Sequence, residues 1–457
     1  MASKDFEVLQ VVSQVLYNGK AGLIDLDLNQ QQKVLNSYGY PMGLADYSAF
    51  ILGGLPKQGQ MLEEVKDLLL NEIKKLRAGE FDEKMLQANI NNFKLYELQS
   101  MESNEGRADI FVNSFINGTN WEDEVTAIDR MAKLTKEDIV AFADKYLKED
   151  NYAVVYKKQG KDPNEKKMTK PEITPIVSNR DVASPFLTSI QENAVKPIEP
   201  VFLDFKKDMS QLTAKSDIPV LYKQNTTNDL FQLIYVFDMG NNNDKALGTA
   251  FDYLEYLGTS DMTPEELKSE FYRLACTFYV SPGNERTYVV LSGLNENMPA
   301  AMQLFEKLLA DAQANKEAYN NLVGDILKAR ADAKLNQGQN FSRLMNYAMY
   351  GPKSPATNLL TEAELASMNP QELVDRIHNQ NNYKHRILYY GPSSSKDLLA
   401  TIDQYHQVPA TLKDIPAGNE FSYLETPATK VLVAPYEAKQ IYMAQISNLD
   451  KKSDPAI

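Results

Sequence analysis

An internal repeat constrains the fold of this chain more than any other feature of its sequence. Val15-Leu16-Tyr17-Asn18-Gly19 matches Leu254-Glu255-Tyr256-Leu257-Gly258, and Gly54-Leu55 matches Gly293-Leu294, both at 239 residues (258 − 19 and 293 − 54). Gly118 then matches Gly351, and residues 154–156 match 387–389, both at 233 residues (351 − 118 and 387 − 154). Four matches in order, with one short length difference, favour a duplicated domain. The alternative is that any two helix–strand–helix segments can be aligned by sliding.

Apolar spacing predicts that the first stretch, residues 5–157, is one α+β domain. Its predicted elements are a helix over 5–18, a strand over 47–52, helices over 62–76 and 83–100, a helix after the Thr135–Asp138 capping box, and a strand over 152–156. Residues 158–199 are rich in Pro and Lys with little periodicity, which predicts an extended linker.

The second α+β stretch covers residues 200–408, and its opening predicts a hairpin of strands 219–223 and 230–237. Residues 409–457 follow, and within them 430–434 and 440–446 are typical of strands that open a further domain.

Composition limits the class of protein. The chain has 457 residues, which is too long for one ordinary domain of ~150 residues. Hydrophobic residues make up 43% and charged residues 24%, the balance of a globular protein with cores. A formal net charge of −14 argues against nucleic acid and against a membrane surface as partners. No apolar run reaches the ~20 residues of a membrane span. The lone Cys276 is expected to be a small buried hydrophobe.

The first residues lack the apolar core of a secretory signal and lead directly into an amphipathic helical pattern. We therefore expect the chain to open inside a domain, as a fragment would. The cellular compartment stays undetermined.

The order of elements in the second stretch resembles a known family. A hairpin is followed by the helical segment ALGTAFDYLEYLGTSDMTPEEL, the strand TYVVLSGL, the helix AAMQLFEKLLADAQ, a longer helix and the phrase AMYGPKSP. This order is similar to the pitrilysin/insulinase family of zinc peptidases, which includes mitochondrial presequence-degrading enzymes. The resemblance implies repeated mitochondrial-processing-peptidase-like α+β domains, each an antiparallel sheet packed with helices. Family members have four such domains, in two halves that close around a peptide chamber.

By this resemblance, residues 5–157 correspond to the second family domain without its leading strands, 200–408 to the third, and 420–457 to the start of the fourth. The family's zinc motif, H-x-x-E-H, belongs to the first domain. Its two histidines bind Zn²⁺ from one helix face, and its glutamate polarises the metal-bound water. A carboxylate from a later helix completes the ligands.

In this chain the matching segment is residues 252–256, which we call the degenerate motif. Asp252 and Tyr256 replace the two histidines, and only Glu255 keeps its residue type. Asp325 and Asp332 are the candidate acids on the later helix. Oxygen donors are a poor zinc site, since zinc prefers nitrogen and sulfur. The sequence therefore predicts no catalytic residue and no metal ligand here, and zinc is expected only in the parent protein.

The remaining candidates carry weak signals. His378 and His385 are seven residues apart and His406 stands alone, which favours satisfied core or surface roles over metal or base roles. Tyr38, Tyr40 and Tyr47 cluster in the segment NSYGYPMGLADY and are possible peptide contacts. Sheet-edge packing is the commoner reason for such tyrosines.

Two functions remain open. In the first, the chain is the non-catalytic middle of a zinc metalloendopeptidase, with peptide substrates and the remaining domains of the parent protein as partners. In the second, it is a standalone non-catalytic homologue that acts as a scaffold or peptide-binding subunit. In both, we expect the isolated chain to be inactive.

The tail suggests one structural hypothesis. The first stretch has no hairpin ahead of its first helix, whereas the second has one. Residues 420–457 are therefore expected to dock on the exposed sheet edge of the first domain, because an unpaired edge favours strand addition. The alternative is that the tail belongs to an absent domain.

Overall fold

A computed structural model describes residues 4–44, 47–161, 168–176, 178, 180, 182–438 and 440–448. The chain divides into two compact units, Met1–Tyr152 with Ser210–Ile457, and Ala153–Met209. Below, the first half means residues 4–152 and the second half means residues 210–448 of the larger unit. No helix among the described residues is long and apolar enough to cross a membrane.

The first half is mostly helical around one pair of strands. Its elements are α1 (Lys4–Leu16), a π-helical turn (Asp25–Gln30), β1 (Asn36–Gly43), β2 (Ser48–Leu55), α2 (Leu62–Arg77), α3 (Lys84–Ser100), α4 (Asn104–Asn117), α5 (Trp121–Val125), α6 (Ala127–Met131) and α7 (Lys136–Tyr146). The two strands pair antiparallel, with Tyr38 opposite Gly53 and Tyr40 opposite Ile51.

Helix ends follow their sequence signals. Thr135 accepts a hydrogen bond from the Asp138 backbone, and the Asp138 carboxylate accepts one from the Thr135 backbone, so the predicted capping box begins α7. The apolar faces of α1, α2 and α7 meet in one core, which includes Val12, Leu76 and Ile139. The helices of the first half therefore form one layer that packs against its two-stranded sheet.

The smaller unit has little regular structure. Its one helix among the described residues, α8 (Pro185–Gln191), begins where the Ser184 hydroxyl accepts a hydrogen bond from Leu187 N at 3.1 Å. The strand predicted over residues 152–156 is wrong: the segment is irregular, and Val155 is 92% exposed. A strand needs hydrogen-bonded neighbours, and no described segment pairs with this one.

The second half contains a larger sheet. Its strands are β3 (Ser210–Ala214), β4 (Ile218–Gln224), β5 (Leu230–Phe237), β6 (Cys276–Pro282), β7 (Thr287–Leu294) and β8 (Arg386–Gly391). Its helices are α9 (Leu247–Leu254), α10 (Pro264–Arg273), α11 (Met298–Asp311), α12 (Lys316–Ala333), α13 (Gln337–Tyr350), α14 (Glu362–Ser367), α15 (Pro370–Asn379) and α16 (Ser395–Tyr405). The core lies between the sheet and helices α9, α11, α15 and α16.

The fold class is α+β, as the sequence predicts, but two details of the sheet differ. The order is β3-β4-β8-β5-β7-β6, and β4 and β8 run parallel, so the sheet is mixed rather than antiparallel. The predicted hairpin is also wrong, because β8 lies between β4 and β5 and pairs with both. The parallel strand β8 satisfies the backbone hydrogen-bonding groups of β4, as an antiparallel β5 would have done in a hairpin.

Two of the four matches fall in corresponding elements, whereas residues 154–156 are irregular and residues 387–389 lie in β8. Strands β2 and β7 both begin and end 239 residues apart (287 − 48 and 294 − 55). Helices α4 and α13 both begin and end 233 residues apart (337 − 104 and 350 − 117), and each is followed by a glycine with positive φ, Gly118 and Gly351.

The tail differs from the predicted strands and from the predicted docking on the first half. The described residues of 430–434 and 440–446 form no strand. Instead of docking on the first half, the tail packs on α13 and the turn before it. The Tyr442 ring lies 5.5 Å from that of Phe341, and the Tyr436 hydroxyl donates to the carbonyl of Leu335. The tail's aromatic residues therefore contact α13 and the turn before it while staying partly exposed, Tyr436 at 42% and Tyr442 at 48%.

Candidate functional site

The degenerate motif lies at the C-terminal end of α9. Asp252 is exposed in the last turn, Glu255 is the exposed C-cap residue, and Tyr256 is half-buried just beyond the helix. The backbone N–H of Tyr256 donates to the carbonyl of Tyr253 at 3.0 Å, which tightens this end of the helix. The two positions of the family histidines are therefore not both within a regular helix.

One acid on the later helix lies close to this segment. Burial, followed by the charges of Asp325, Glu255 and Asp252, raises the pKa of Tyr256 above its ordinary value. Burial also raises the pKa of Asp325. The charge of Lys57, a residue of the first half, opposes that rise. The Lys57 ammonium lies 3.8 Å from the Asp325 carboxylate. Of the two candidate acids, Asp325 is thus the one associated with the motif, and its charge partner is a lysine.

The other candidate acid has a local partner. The Asp332 carboxylate lies 2.6 Å from the Lys328 ammonium, one turn earlier on α12. This is an ordinary i, i+4 ion pair on an exposed helix face.

Residues from both halves contact the motif. The buried Gln30 side chain donates to the carbonyl of Glu255 at 3.2 Å, which satisfies a group at the end of α9. On α10, the Lys268 ammonium lies 3.8 Å from the Glu255 carboxylate. Burial lowers the pKa of Lys268, while the charge of Glu255 opposes that shift. The motif is therefore part of the contact between the two halves.

Asp25 is the buried acid of this contact. Its Oδ2 accepts the backbone N–H groups of Asn18 at 2.9 Å, Gly19 at 3.1 Å and Gly22 at 3.0 Å. Burial nevertheless raises the pKa of Asp25 to about 6, since the three N–H groups and Lys268 offset only part of the desolvation. This acid holds the turn that follows α1 rather than facing a ligand.

The residues do not fit a zinc site. The histidine positions and the later acid offer only oxygen donors, from Asp252, Tyr256 and Asp325, and the Lys57 ammonium lies beside the last of them. Among the described residues, no group of three or more His, Cys, Asp and Glu side chains could hold a metal ion. The arrangement supports an interface of ion pairs and hydrogen bonds.

The three candidate peptide-contact tyrosines lie on or beside β1. The rings of Tyr38 and Tyr40 are nearly parallel, at 18°, with centroids 6.1 Å apart. Tyr38 packs over Gly53, where an added Cβ would lie 2.3 Å from its ring. Tyr40 and Tyr47 are 47% and 80% exposed. Sheet packing therefore accounts for Tyr38, and the other two rings face solvent.

A buried cluster of histidines was missed from the sequence. His406, which the sequence places alone, lies with its Nε2 2.9 Å from Nε2 of His385. Its Nδ1 lies 2.6 Å from Oε1 of Glu306 on α11. The hydroxyl of Tyr235 donates to the same Glu306 oxygen at 2.9 Å. All four side chains are buried. No local signal reveals this cluster, because it joins β5, α11, the start of β8 and the end of α16.

Hydrogen-bond geometry assigns the protons of the cluster. The carbonyl of Tyr383 can only accept, so Nδ1 of His385, at 2.7 Å, carries the proton between them. Burial, followed by the charge of His406, lowers the pKa of His385, so its ring is neutral and its Nε2 accepts from Nε2 of His406.

Cys276 is buried at the start of β6, as the sequence predicts. Burial raises the pKa of its thiol to about 12, so the thiolate needed for nucleophilic chemistry does not form near neutral pH.

Comparison with known proteins returned structures only. No protein-family model matches the chain, and no curated protein matches it. The chain is similar to the periplasmic protease PqqL from Escherichia coli, with 14% identity, 93% of this chain and 49% of that one covered, and a TM-score of 0.44.

Two further similar structures are a peptidase M16 inactive domain and a ferredoxin protease. The first, from Pseudomonas fluorescens, has 15% identity, covers 48% of this chain and 53% of that one, and gives a TM-score of 0.39. The second, FusC in complex with Arabidopsis ferredoxin, has 10% identity. The match covers 92% of this chain and 48% of that one, with a TM-score of 0.43. This chain spans about half the length of these structures.

Proposed function

We propose that this chain is a non-catalytic portion of a zinc metalloendopeptidase of the pitrilysin/insulinase type. In this proposal it forms chamber wall and peptide-contact surface, while an H-x-x-E-H domain outside the chain hydrolyses the peptide. Internal duplication of an α+β domain is part of the proposal. The matching bounds of β2 and β7, and of α4 and α13, support it.

One observation carries the non-catalytic role. The two positions that hold zinc-binding histidines in the family motif are Asp252 and Tyr256, and the nearby acid, Asp325, is paired with Lys57. Hydrolysis by this family's chemistry needs a metal-bound water, and an oxygen-only set beside an ammonium is a poor zinc site. The segment that would be an active site instead contributes to the contact between the two halves.

Two measurements test the proposal. Purified chain is incubated with Zn²⁺ and quenched fluorogenic peptides, and we expect no cleavage; zinc-dependent cleavage that a chelator removes would contradict the non-catalytic role. The second is the reading frame around the codon for Met1. An in-frame H-x-x-E-H domain supports the peptidase portion, whereas a complete gene without one supports the standalone homologue.

A further inference from the structure

Helix α4 presents an apolar face to solvent. Its exposed apolar residues recur at helical spacing and form one stripe: Ala108, Phe111, Val112, Phe115 and Ile116. The last four are 60%, 51%, 87% and 61% exposed. On the opposite side, Ser114 is the one buried residue of the helix among those described. The polarity of α4 is thus reversed, because its most apolar face is the one that faces water.

The stripe continues beyond the helix. The ring of Trp121, at the start of α5, stacks on Phe111 with centroids 4.6 Å apart and 18° between the planes. Trp121 is itself 45% exposed. A contiguous exposed patch of this kind marks an interaction surface, unlike single exposed apolar residues.

The second half contains a corresponding helix whose apolar stripe is less exposed. Helix α13 has the same length as α4, and a shift of 233 residues places the five stripe positions on apolar residues again: Phe341, Leu344, Met345, Ala348 and Met349. All five are half-buried. Two helices with one apolar pattern therefore differ in what covers them.

Described residues of the tail, within 423–438 and 440–442, contact both ends of α13. The N–H of Leu424 donates to the carbonyl of Met349 at 2.7 Å, and the Gln337 side chain donates to the carbonyl of Gln440 at 2.7 Å. Tyr442 contacts Phe341 edge to face. The segment thus uses backbone groups at both ends of the helix and an aromatic side chain on its stripe.

The corresponding space beside α4 is open. A Cβ added at Gly351 would lie 3.4 Å from the Leu424 side chain, whereas one added at the equivalent Gly118 would meet no atom of the described residues within 4 Å. The carbonyls at the end of α4 can therefore be reached by an incoming backbone N–H.

Charges around the stripe specify the partner further. Glu105 and Asp109 are exposed along one side of it, and Glu122 and Asp123 are exposed next to Trp121. Two arginines lie nearby and both are engaged: Arg107 donates to Asn104 and to the carbonyl of Met101, and Arg130 donates to Glu7 and to the carbonyl of Asp123. A polypeptide with Lys or Arg beside its apolar residues complements this acidic border.

We propose that the apolar face of α4 binds an extended segment of a partner polypeptide, one that carries aromatic and leucine side chains flanked by Lys or Arg. Its binding mode is that of Leu424, Gln440 and Tyr442 on α13. The inference goes beyond the proposed function, because it requires neither zinc nor hydrolysis.

The test uses a labelled synthetic peptide with the sequence of residues 420–442 and two lysines added at each end. Fluorescence anisotropy with the full chain should show saturable binding that weakens as salt is raised. Val112→Asp and Phe115→Asp should each lower the affinity at least about tenfold, since a buried charge replaces an apolar contact. Far-UV circular dichroism should be unchanged, because both positions are exposed in the free chain.

Matched controls locate the binding site. Met345→Asp changes the position on α13 that corresponds to Val112, and Met61→Asp changes an exposed apolar residue elsewhere; neither should weaken binding. Absence of binding, or loss with Met345→Asp but not with Val112→Asp, overturns the proposal. Sedimentation velocity gives the remaining outcome: a dimer that Phe115→Asp dissociates assigns the face to a second copy and also overturns it. Each result is independent of peptidase activity.

Discussion

Replacing His385 by Gln should remove a defined part of the pH dependence of stability. His385 is 6% exposed, and burial, followed by the charge of His406, lowers its pKa to about 4 from an ordinary 6.5. Between these two values the unfolded chain binds a proton at this position and the folded chain does not. Stability from His385 is therefore present above pH 6.5 and is lost as pH falls toward 4.

The magnitude follows from the shift. At 1.36 kcal/mol per pKa unit, a displacement from 6.5 to about 4 corresponds to about 3 kcal/mol of unfolding free energy. The structural cause is direct: a second proton on His385 would place two N–H groups against each other across the 2.9 Å between its Nε2 and that of His406.

Asp25 acts in the opposite direction over nearly the same range. Its pKa is raised to about 6, so the folded chain binds the proton that the unfolded chain releases above 3.8. Stability from Asp25 is present at low pH and is lost as pH rises through 6, again by about 3 kcal/mol. The wild-type chain can therefore show a shallow pH dependence, and only a comparison of variants isolates His385.

The assay is urea unfolding followed by far-UV circular dichroism across pH 4 to 6.5, for wild type and His385→Gln. As the pH falls from 6.5 to 4, the free energy of unfolding should drop by about 3 kcal/mol more in wild type than in His385→Gln. The matched control is His378→Gln, since His378 lies outside the cluster and contacts the carbonyl of Ala312. Comparing the two variants separates the effect of the cluster from the loss of a histidine as such. Parallel curves for wild type and His385→Gln would refute the reasoning.

Two smaller predictions use the same assay at neutral pH. Tyr235→Phe removes a buried hydrogen bond to the Glu306 carboxylate and should cost about 1.5–3 kcal/mol, while Tyr279→Phe, on an exposed ring, should cost almost nothing. An equal effect of both would contradict the role of the cluster. Lys57→Gln should cost less than about 1 kcal/mol, because its pair with Asp325 is 3.8 Å long and partly exposed. The control is Lys33→Gln. If Lys57→Gln lowered the free energy of unfolding by several kcal/mol more than this control, the pair would dominate the contact between the halves.

Much of the local structure could be predicted from sequence because its causes are local. The Thr135–Asp138 box begins α7, and Asn18-Gly19 follows the end of α1, since these residues satisfy or terminate helix backbone groups by themselves. The apolar run Leu230–Phe237 is a buried strand, as its pattern predicts, although β7 and β8 satisfy its backbone. The repeat register also matched Gly118 with Gly351, the glycines that follow α4 and α13 in the structure.

Strand order was decided by tertiary structure. Whether β4 pairs with β5 or with β8 depends on a segment more than ~150 residues away, whose backbone competes for the same hydrogen bonds. Residues 152–156 have a strand-like pattern and remain irregular, because a pattern supplies no partner.

The candidate sites divide in the same way. The sequence by itself determined that the segment 252–256 carries oxygen donors at Asp252 and Tyr256 and no histidine, because ligand chemistry is a property of residue type. Only the tertiary structure brought His385, His406 and Glu306 together, and only it exposed the stripe of α4 while covering that of α13. Burial and charge pairing depend on which distant segments pack together, and no single stretch of the sequence contains that information.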